Sequence, residues 1–241
     1  MSRHPPIVPA AIDAAVAALR AGDVIGLPTE TVYGLAGDAA NAAAVARIFA
    51  LKGRPADHPL IVHLGDATWL ARWSRTVDPR AEALARAFWP GPLTLILPRR
   101  ADVAAAAAGG QDSIGLRLPS HPVAQALLHE AALLGVAGVA APSANRFGRV
   151  SPTRAEHVRD EFGDALTVLD GGPCAVGIES AIVDCTRPEP ALLRPGQLGR
   201  EAIEAVLGQP LAAPDAGSPR APGTLASHYA PAAPVQLFDP A

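Results

Sequence analysis

Pro28-Thr29-Glu30-Thr31-Val32-Tyr33-Gly34-Leu35-Ala36-Gly37-Asp38 follows directly on the apolar run Val24-Ile25-Gly26-Leu27. The run reads as a buried strand, stopped by a proline and followed by hydroxyls, a carboxylate, a phenol and two glycines. Hydrogen-bonding groups just beyond a strand end are where open α/β sheets keep their ligands. The same residues would also serve as a plain polar turn, and the stretch alone leaves both readings open.

The next informative stretch is Lys52-Gly53-Arg54-Pro55-Ala56-Asp57-His58-Pro59-Leu60-Ile61-Val62-His63-Leu64, in which two cations follow an expected helix and two histidines flank an expected strand. Further on come Gly115-Leu116-Arg117-Leu118-Pro119, Pro142-Ser143-Ala144-Asn145 with Ser151-Pro152-Thr153, Gly177-Ile178-Glu179-Ser180-Ala181-Ile182-Val183-Asp184, Arg194-Pro195-Gly196 and His228-Tyr229-Ala230-Pro231. In this order, over some two hundred residues, the set resembles the L-threonylcarbamoyladenylate synthase family with its YrdC-like domain. The resemblance implies an α/β (α+β) fold, a twisted mixed parallel and antiparallel sheet flanked by helices, with a central ligand cavity.

Composition narrows the class. A chain of 241 residues with 49% apolar and 18% charged residues can bury a sizeable core, and general disorder is excluded. Aromatics at 4% leave that core to Ala, Val, Leu and Ile. No apolar run has the length of a membrane span, and the first residues lack the apolar segment of a signal peptide, so a cytoplasmic protein is expected. Cys174 and Cys185 show neither a Cys-x-x-Cys pattern nor a histidine at metal-ligand spacing and read as reduced structural thiols. A net charge of −3 argues against a surface coated for nucleic acid, although a local basic groove stays open.

Taken in order, the chain suggests a helix from Pro9 to Ala21, then a second from Ala42 to Leu51 capped by Asn41, which brings Lys52 and Arg54 to the sheet end that carries Thr31 and Tyr33. Strands are expected at Leu60 to Leu64, Leu93 to Leu97, Ser113 to Leu118 and Val136 to Ala141. Helices are expected after Asp78-Pro79 and around Val123 to Leu128. Residues 101–110 read as a short helix or a poorly ordered loop. Arg117 lies in an apolar run and needs a carboxylate or phosphate, the structural alternative being a bridge to an internal acid such as Glu179. Thr153 to Glu156 fits a capping box, which would make Thr153 a cap and Ser151 the better ligand candidate. Short strands at Thr167 to Leu169, Ala181 to Asp184 and Ala191 to Leu193 suggest antiparallel pairing, and a last helix spans Arg200 to Leu207. The expected division is a catalytic domain at 1–208 and a proline-rich arm at 209–241.

The resemblance implies synthesis of threonylcarbamoyl-AMP from L-threonine, bicarbonate or CO2, and ATP, with release of pyrophosphate. The product would pass to the machinery that modifies adenosine 37 of certain tRNAs, with weak tRNA contact a further possibility and no membrane partner. By matching positions, Thr31, His63, Arg117, Ala141 and Ser180 would contact L-threonine. Arg54, His58, Ser113, Ser143, Ser151, Arg194, His228 and Tyr229 would contact ATP, while Lys52, Arg54 and Tyr33 would line the reacting centre. Mg2+ would arrive on the nucleotide, with no metal site of the protein's own. The reaction concentrates negative charge, so cations and donors matter more than a nucleophile; His63 is the one candidate base. Two positions depart from the family pattern: His58 stands where asparagine is common, and Ala181 where threonine is usual. The family's long form continues beyond the His-Tyr-Ala-Pro segment into a second, Rossmann-like domain, expected here to be absent. Two other readings remain: a related carbamoyl-adenylate-forming enzyme, without the zinc-finger and acylphosphatase segments that accompany it, and a non-catalytic RNA-binding module.

Overall fold

In the computed structural model, residues 7–223 are described, together with 231, 233 and 236. The helices are α1 (Pro9–Arg20), α2 (Ala42–Lys52), α3 (Leu70–Trp73), α4 (Pro79–Phe88), α5 (Pro122–Leu133), α6 (Ala155–Phe162) and α7 (Arg200–Leu207). The strands are β1 (Ile25–Leu27), β2 (Gly34–Asp38), β3 (Ile61–His63), β4 (Leu93–Pro98), β5 (Ser113–Arg117), β6 (Val139–Ala140), β7 (Thr167–Val168), β8 (Ala181–Asp184) and β9 (Ala191–Arg194). They form one sheet in the order β7-β1-β2-β6-β3-β5-β4-β8-β9. Three pairings are parallel, β1 with β7, β3 with β5 and β4 with β8, and the other five are antiparallel. The mixed sheet is as expected, and so is the β8–β9 hairpin. The pairing of β7 is not: it runs parallel to β1 at the sheet's far edge, because residues 169–180 carry the chain across the molecule before β8 begins.

Strand periodicity separates two faces. Val62, Ala140, Leu35, Leu95 and Leu116 join α2, α4 and α7 in the larger core. On the other face, Ile25, Leu27, Ala36 and Val139 pack under α1 and α5, whose buried residues include Ile12, Val16, Leu19, Val123 and Leu127. This second helical cover spans only part of the sheet. Further along, Ile61, Ile96, Ile182 and Leu193 meet Ala221 and Ala212 of the C-terminal segment instead of a helix. His63 and Arg117, paired across β3 and β5, belong to this same face. A helix-free half-face with polar side chains rising from it is the ground on which a site can stand.

Asp78 and Asn41 cap their helices as expected. Thr153 does not: α6 begins one residue after Arg154, which makes no side-chain cap bond. Residues 101–110 form packed turns, with Ala107 and Ala108 buried and Gly109 against the Asp57 and His58 backbone. Both cysteines are unpaired, and burial pushes each thiol up to about 12. Among the described residues no helix is long and apolar enough to cross a membrane.

Candidate active site

Lys52 ends α2, and the residue after it, Gly53, takes the left-handed conformation at φ 61°. The Gly53 N–H returns to the Ala50 carbonyl and the Arg54 N–H to the Phe49 carbonyl, the double closure that commonly terminates a helix. Any other residue at 53 would strain this closure. Lys52 and Arg54 are thus held on a rigid turn at the sheet end where the sequence placed them. The Lys52 ammonium is buried and donates to the backbone carbonyls of Ser143 and Asn145, the latter at 2.6 Å. Burial and the neighbouring Arg54 charge lower it to about 7. Arg54 donates from Nη2 to the Pro59 carbonyl at 2.9 Å.

The opening stretch is stitched to its surroundings on every side. Leu35 N–H reaches Pro142, Ala144 N–H reaches the Tyr33 carbonyl, and the Val176 and Gly177 N–H groups reach the carbonyls of Glu30 and Thr31, at 2.8 to 3.0 Å. Thr29 donates its hydroxyl proton to the Val32 carbonyl at 2.6 Å, so in the 2.9 Å contact between the Thr29 and Thr31 hydroxyls Thr31 is the donor. The Thr31 oxygen then accepts from Arg117 Nη1 at 2.9 Å. Arg117 Nη2 donates to Glu30 Oε1 at 2.6 Å, and both partners are nearly fully buried. The internal bridge weighed from sequence therefore exists, with Glu30 in place of Glu179.

Several of these groups line one pocket that is open to solvent. Thr31, His63, Arg117, Ala141, Ser180, Lys52, Arg54, Ser143 and Arg194 all line it, so nine of the residues singled out from sequence converge on one place. His63 is buried, and burial together with the Arg117 charge drops it to about 3, which keeps the ring neutral. Its Nδ1 has no hydrogen-bond partner among the described residues. Arg194 donates from Nε and Nη2 to the carbonyl and hydroxyl of Ser180 and from Nη1 to the Pro222 carbonyl, tying the Ser180 side of the cavity to the C-terminal segment.

Other residues fall elsewhere. Tyr33 is not on the cavity wall: its hydroxyl donates to the Gly172 carbonyl and accepts from the Gly171 N–H, and burial raises it to about 12. It fastens the loop leading to Glu179 and Ser180. His58 packs edge-on against Phe147, itself on the wall, at 5.7 Å between ring centres. Ser151 lies outside the wall and donates to the Glu179 carboxylate, which is on it. Ser113 lines a small adjoining hollow with Gly115, Ile96, Ile182 and Gln111, and this hollow shares Ile61 and Pro222 with the main cavity. His228 and Tyr229 lie outside the described residues.

Sequence reasoning passed over Glu30, Glu179 as a wall residue, Asn145 and Pro222. A signal for Glu30 was present, since a carboxylate set between a buried strand and the apolar residues Val32 to Leu35 needs a cation. Pro222 carried none, because proline-rich segments have no periodicity to betray a packed face.

Residues 17–196 match the Sua5/YciO/YrdC family model, described as Telomere recombination, and residues 198–241 match one described as Threonylcarbamoyl-AMP synthase, C-terminal domain. A Bacillus subtilis protein named Threonylcarbamoyl-AMP synthase is 43% identical over 233 residues, covering 93% of this chain and 66% of its own length. A Mycobacterium tuberculosis protein named Putative threonylcarbamoyl-AMP synthase is 38% identical, covering 82% of this chain and 89% of its own. The crystal structure of Pyrococcus abyssi Sua5 complexed with L-threonine superposes with a TM-score of 0.86 at 41% identity, covering 92% of this chain and 66% of that one. The chain thus spans slightly under two thirds of the length of the relatives from Bacillus and Pyrococcus. The fold, the ordered motifs and the cavity they build all agree with these likenesses, and the chain belongs to the Sua5/YciO/YrdC family.

Proposed function

We propose that the cavity joins L-threonine, bicarbonate or CO2, and ATP into threonylcarbamoyl-AMP and releases pyrophosphate. The observation that supports this most is the convergence, in one cavity, of Lys52, Arg54, Arg117 and Arg194 with the small polar set Thr31, His63 and Ser180. Four cations suit a carboxylate and a polyphosphate together; the small polar set suits an amino acid with a hydroxyl.

In this reading Arg117 grips the threonine carboxylate. Thr31, whose proton is committed to Thr29 and one lone pair to Arg117, offers its remaining lone pair to the ammonium or hydroxyl. Neutral His63 gives an orienting hydrogen bond and no acid–base step. Two of the three Lys52 N–H groups are held by carbonyls, and the third serves a phosphate oxygen beside Arg54 and Arg194. The Ser113 hollow adjoins the main pocket at Ile61 and Pro222, and in this reading the nucleotide base lies toward it. Once CO2 has been captured on the amine, the carbamate oxygen attacks the α-phosphorus as the bond to pyrophosphate breaks. The wall keeps that labile carbamate beside the nucleotide and away from water. Among the described residues no three or more His, Cys, Asp and Glu side chains cluster as a metal site, so Glu179, the carboxylate on the wall, is the residue suited to meet a nucleotide-borne Mg2+. That ion would neutralise phosphate charge.

Residues 1–208 serve as the catalytic unit and 209–241 as the arm. The product would be handed on for tRNA modification at adenosine 37. Pyrophosphate release from ATP, followed with bicarbonate present and L-threonine added or withheld, tests the reading: release requiring both co-substrates is expected, and release indifferent to threonine would refute it.

A further inference from the structure

We infer that Glu30 is the positioning residue of the threonine carboxylate grip, acting through Arg117 and making no contact with substrate itself. The inference rests on the reading of the cavity given above. Glu30 is absent from the cavity wall while Arg117 is on it. Its two carboxylate oxygens are divided between two donors: Oε1 takes Arg117 Nη2 at 2.6 Å and Oε2 takes the Ser120 N–H at 3.1 Å. Arg117 is fixed on two further sides, by the Thr31 hydroxyl and by Nε donating to the Gly91 carbonyl at 3.3 Å. Three of the five guanidinium N–H groups are thereby spent on immobile acceptors, which orients the planar fork and leaves two for a ligand's carboxylate.

A buried ion pair is a poor source of stability, because desolvation offsets most of the attraction. What this pair supplies is direction. A long arginine side chain carries much rotamer freedom, and a ligand that found it unrestrained would have to order it on binding. The Glu30 backbone carbonyl also accepts the Val176 N–H, so the same residue sets the loop that brings in Ser180. One residue therefore aligns two walls of the amino-acid pocket, while the Lys52–Arg54 turn that faces the polyphosphate is built independently from α2.

The test is Glu30→Gln in the full chain, with L-threonine and ATP binding each measured by calorimetry beside the wild type. A carboxamide has one acceptor oxygen and must turn its N–H2 toward one of the two donors, so one contact is lost. The expected result is L-threonine affinity lowered about tenfold, as befits a charge-assisted bond, with ATP affinity within twofold of wild type. In an Arg117→Lys background the same change should cost less than twofold further. Wild-type threonine affinity in Glu30→Gln, or equal losses for threonine and ATP, would overturn the inference. If Glu30→Gln does not fold, Glu30→Asp keeps the charge but withdraws it by one carbon: weakened threonine binding would support the positioning role, and unchanged binding or failure to fold would overturn it. A wild-type chain that binds no L-threonine would remove the underlying reading, and this inference with it.

Discussion

Lys52 and His63 are both buried ionisable groups on one wall, yet their surroundings set them to different tasks. Lys52 sits at about 7, lowered by burial and by Arg54, so it loses its charge in the range where the protein is handled. In the proposed reading ATP binds the charged form. The KM for ATP should be flat below about pH 7 and rise toward tenfold per unit above it, and Lys52→Arg should flatten the profile. A KM unchanged up to about pH 9 would show that Lys52 stays charged throughout. His63 falls from 6.5 to about 3. The unfolded chain takes up a proton below its own value of 6.5 that the folded chain refuses, so this group's contribution to stability is lost as pH drops from 6.5 toward 3. At about pH 5 the loss is ~2 kcal/mol. Denaturant melts of wild type and His63→Gln at neutral and acid pH check this, since the substitution should shrink the acid loss.

At the scale of elements, two devices build the site. One is the helix-ending turn at Gly53, whose left-handed backbone holds the two cations beside it. The other is the segment 211–223, which covers the half-face of the sheet that helices leave bare. It is held by Arg194 and by a reciprocal pair in which the Gln111 side chain donates to the Arg220 carbonyl and accepts from the Arg220 N–H. Arg220 also reaches the Gly109 carbonyl and Asp57. A paired backbone resists proteolysis, so Gln111→Ala should raise trypsin cleavage after Arg220 several-fold under native conditions, read by mass spectrometry of the fragments. Cleavage at the wild-type rate would mean that the arm is held by other contacts. Most strands and helices were readable because each carries its own period or cap. The arm was not, because its packing rests on a few scattered residues, Leu211, Ala212, Ala221 and Pro222, that follow no period. The parallel pairing of β7 escaped for a related reason: strand partners are chosen by tertiary path, which local sequence does not encode.

For the whole molecule, a net charge of −3 coexists with a cavity carrying four cations and one wall carboxylate. Composition alone could only exclude a basic coat, whereas the ordered motifs located the cationic cavity. Individual roles were less legible, since Tyr33 and Ser151 stand beside the wall and act through Gly171, Gly172 and Glu179. In the proposed reaction this cavity covalently joins threonine, a one-carbon unit and AMP. The most direct measurement is mass spectrometry of the nucleotides formed from ATP, L-threonine and carbon-13 bicarbonate. A nucleotide containing threonine and one labelled carbon is predicted, and its loss in Lys52→Ala is predicted with it. AMP and pyrophosphate without any labelled threonine adduct would contradict the account.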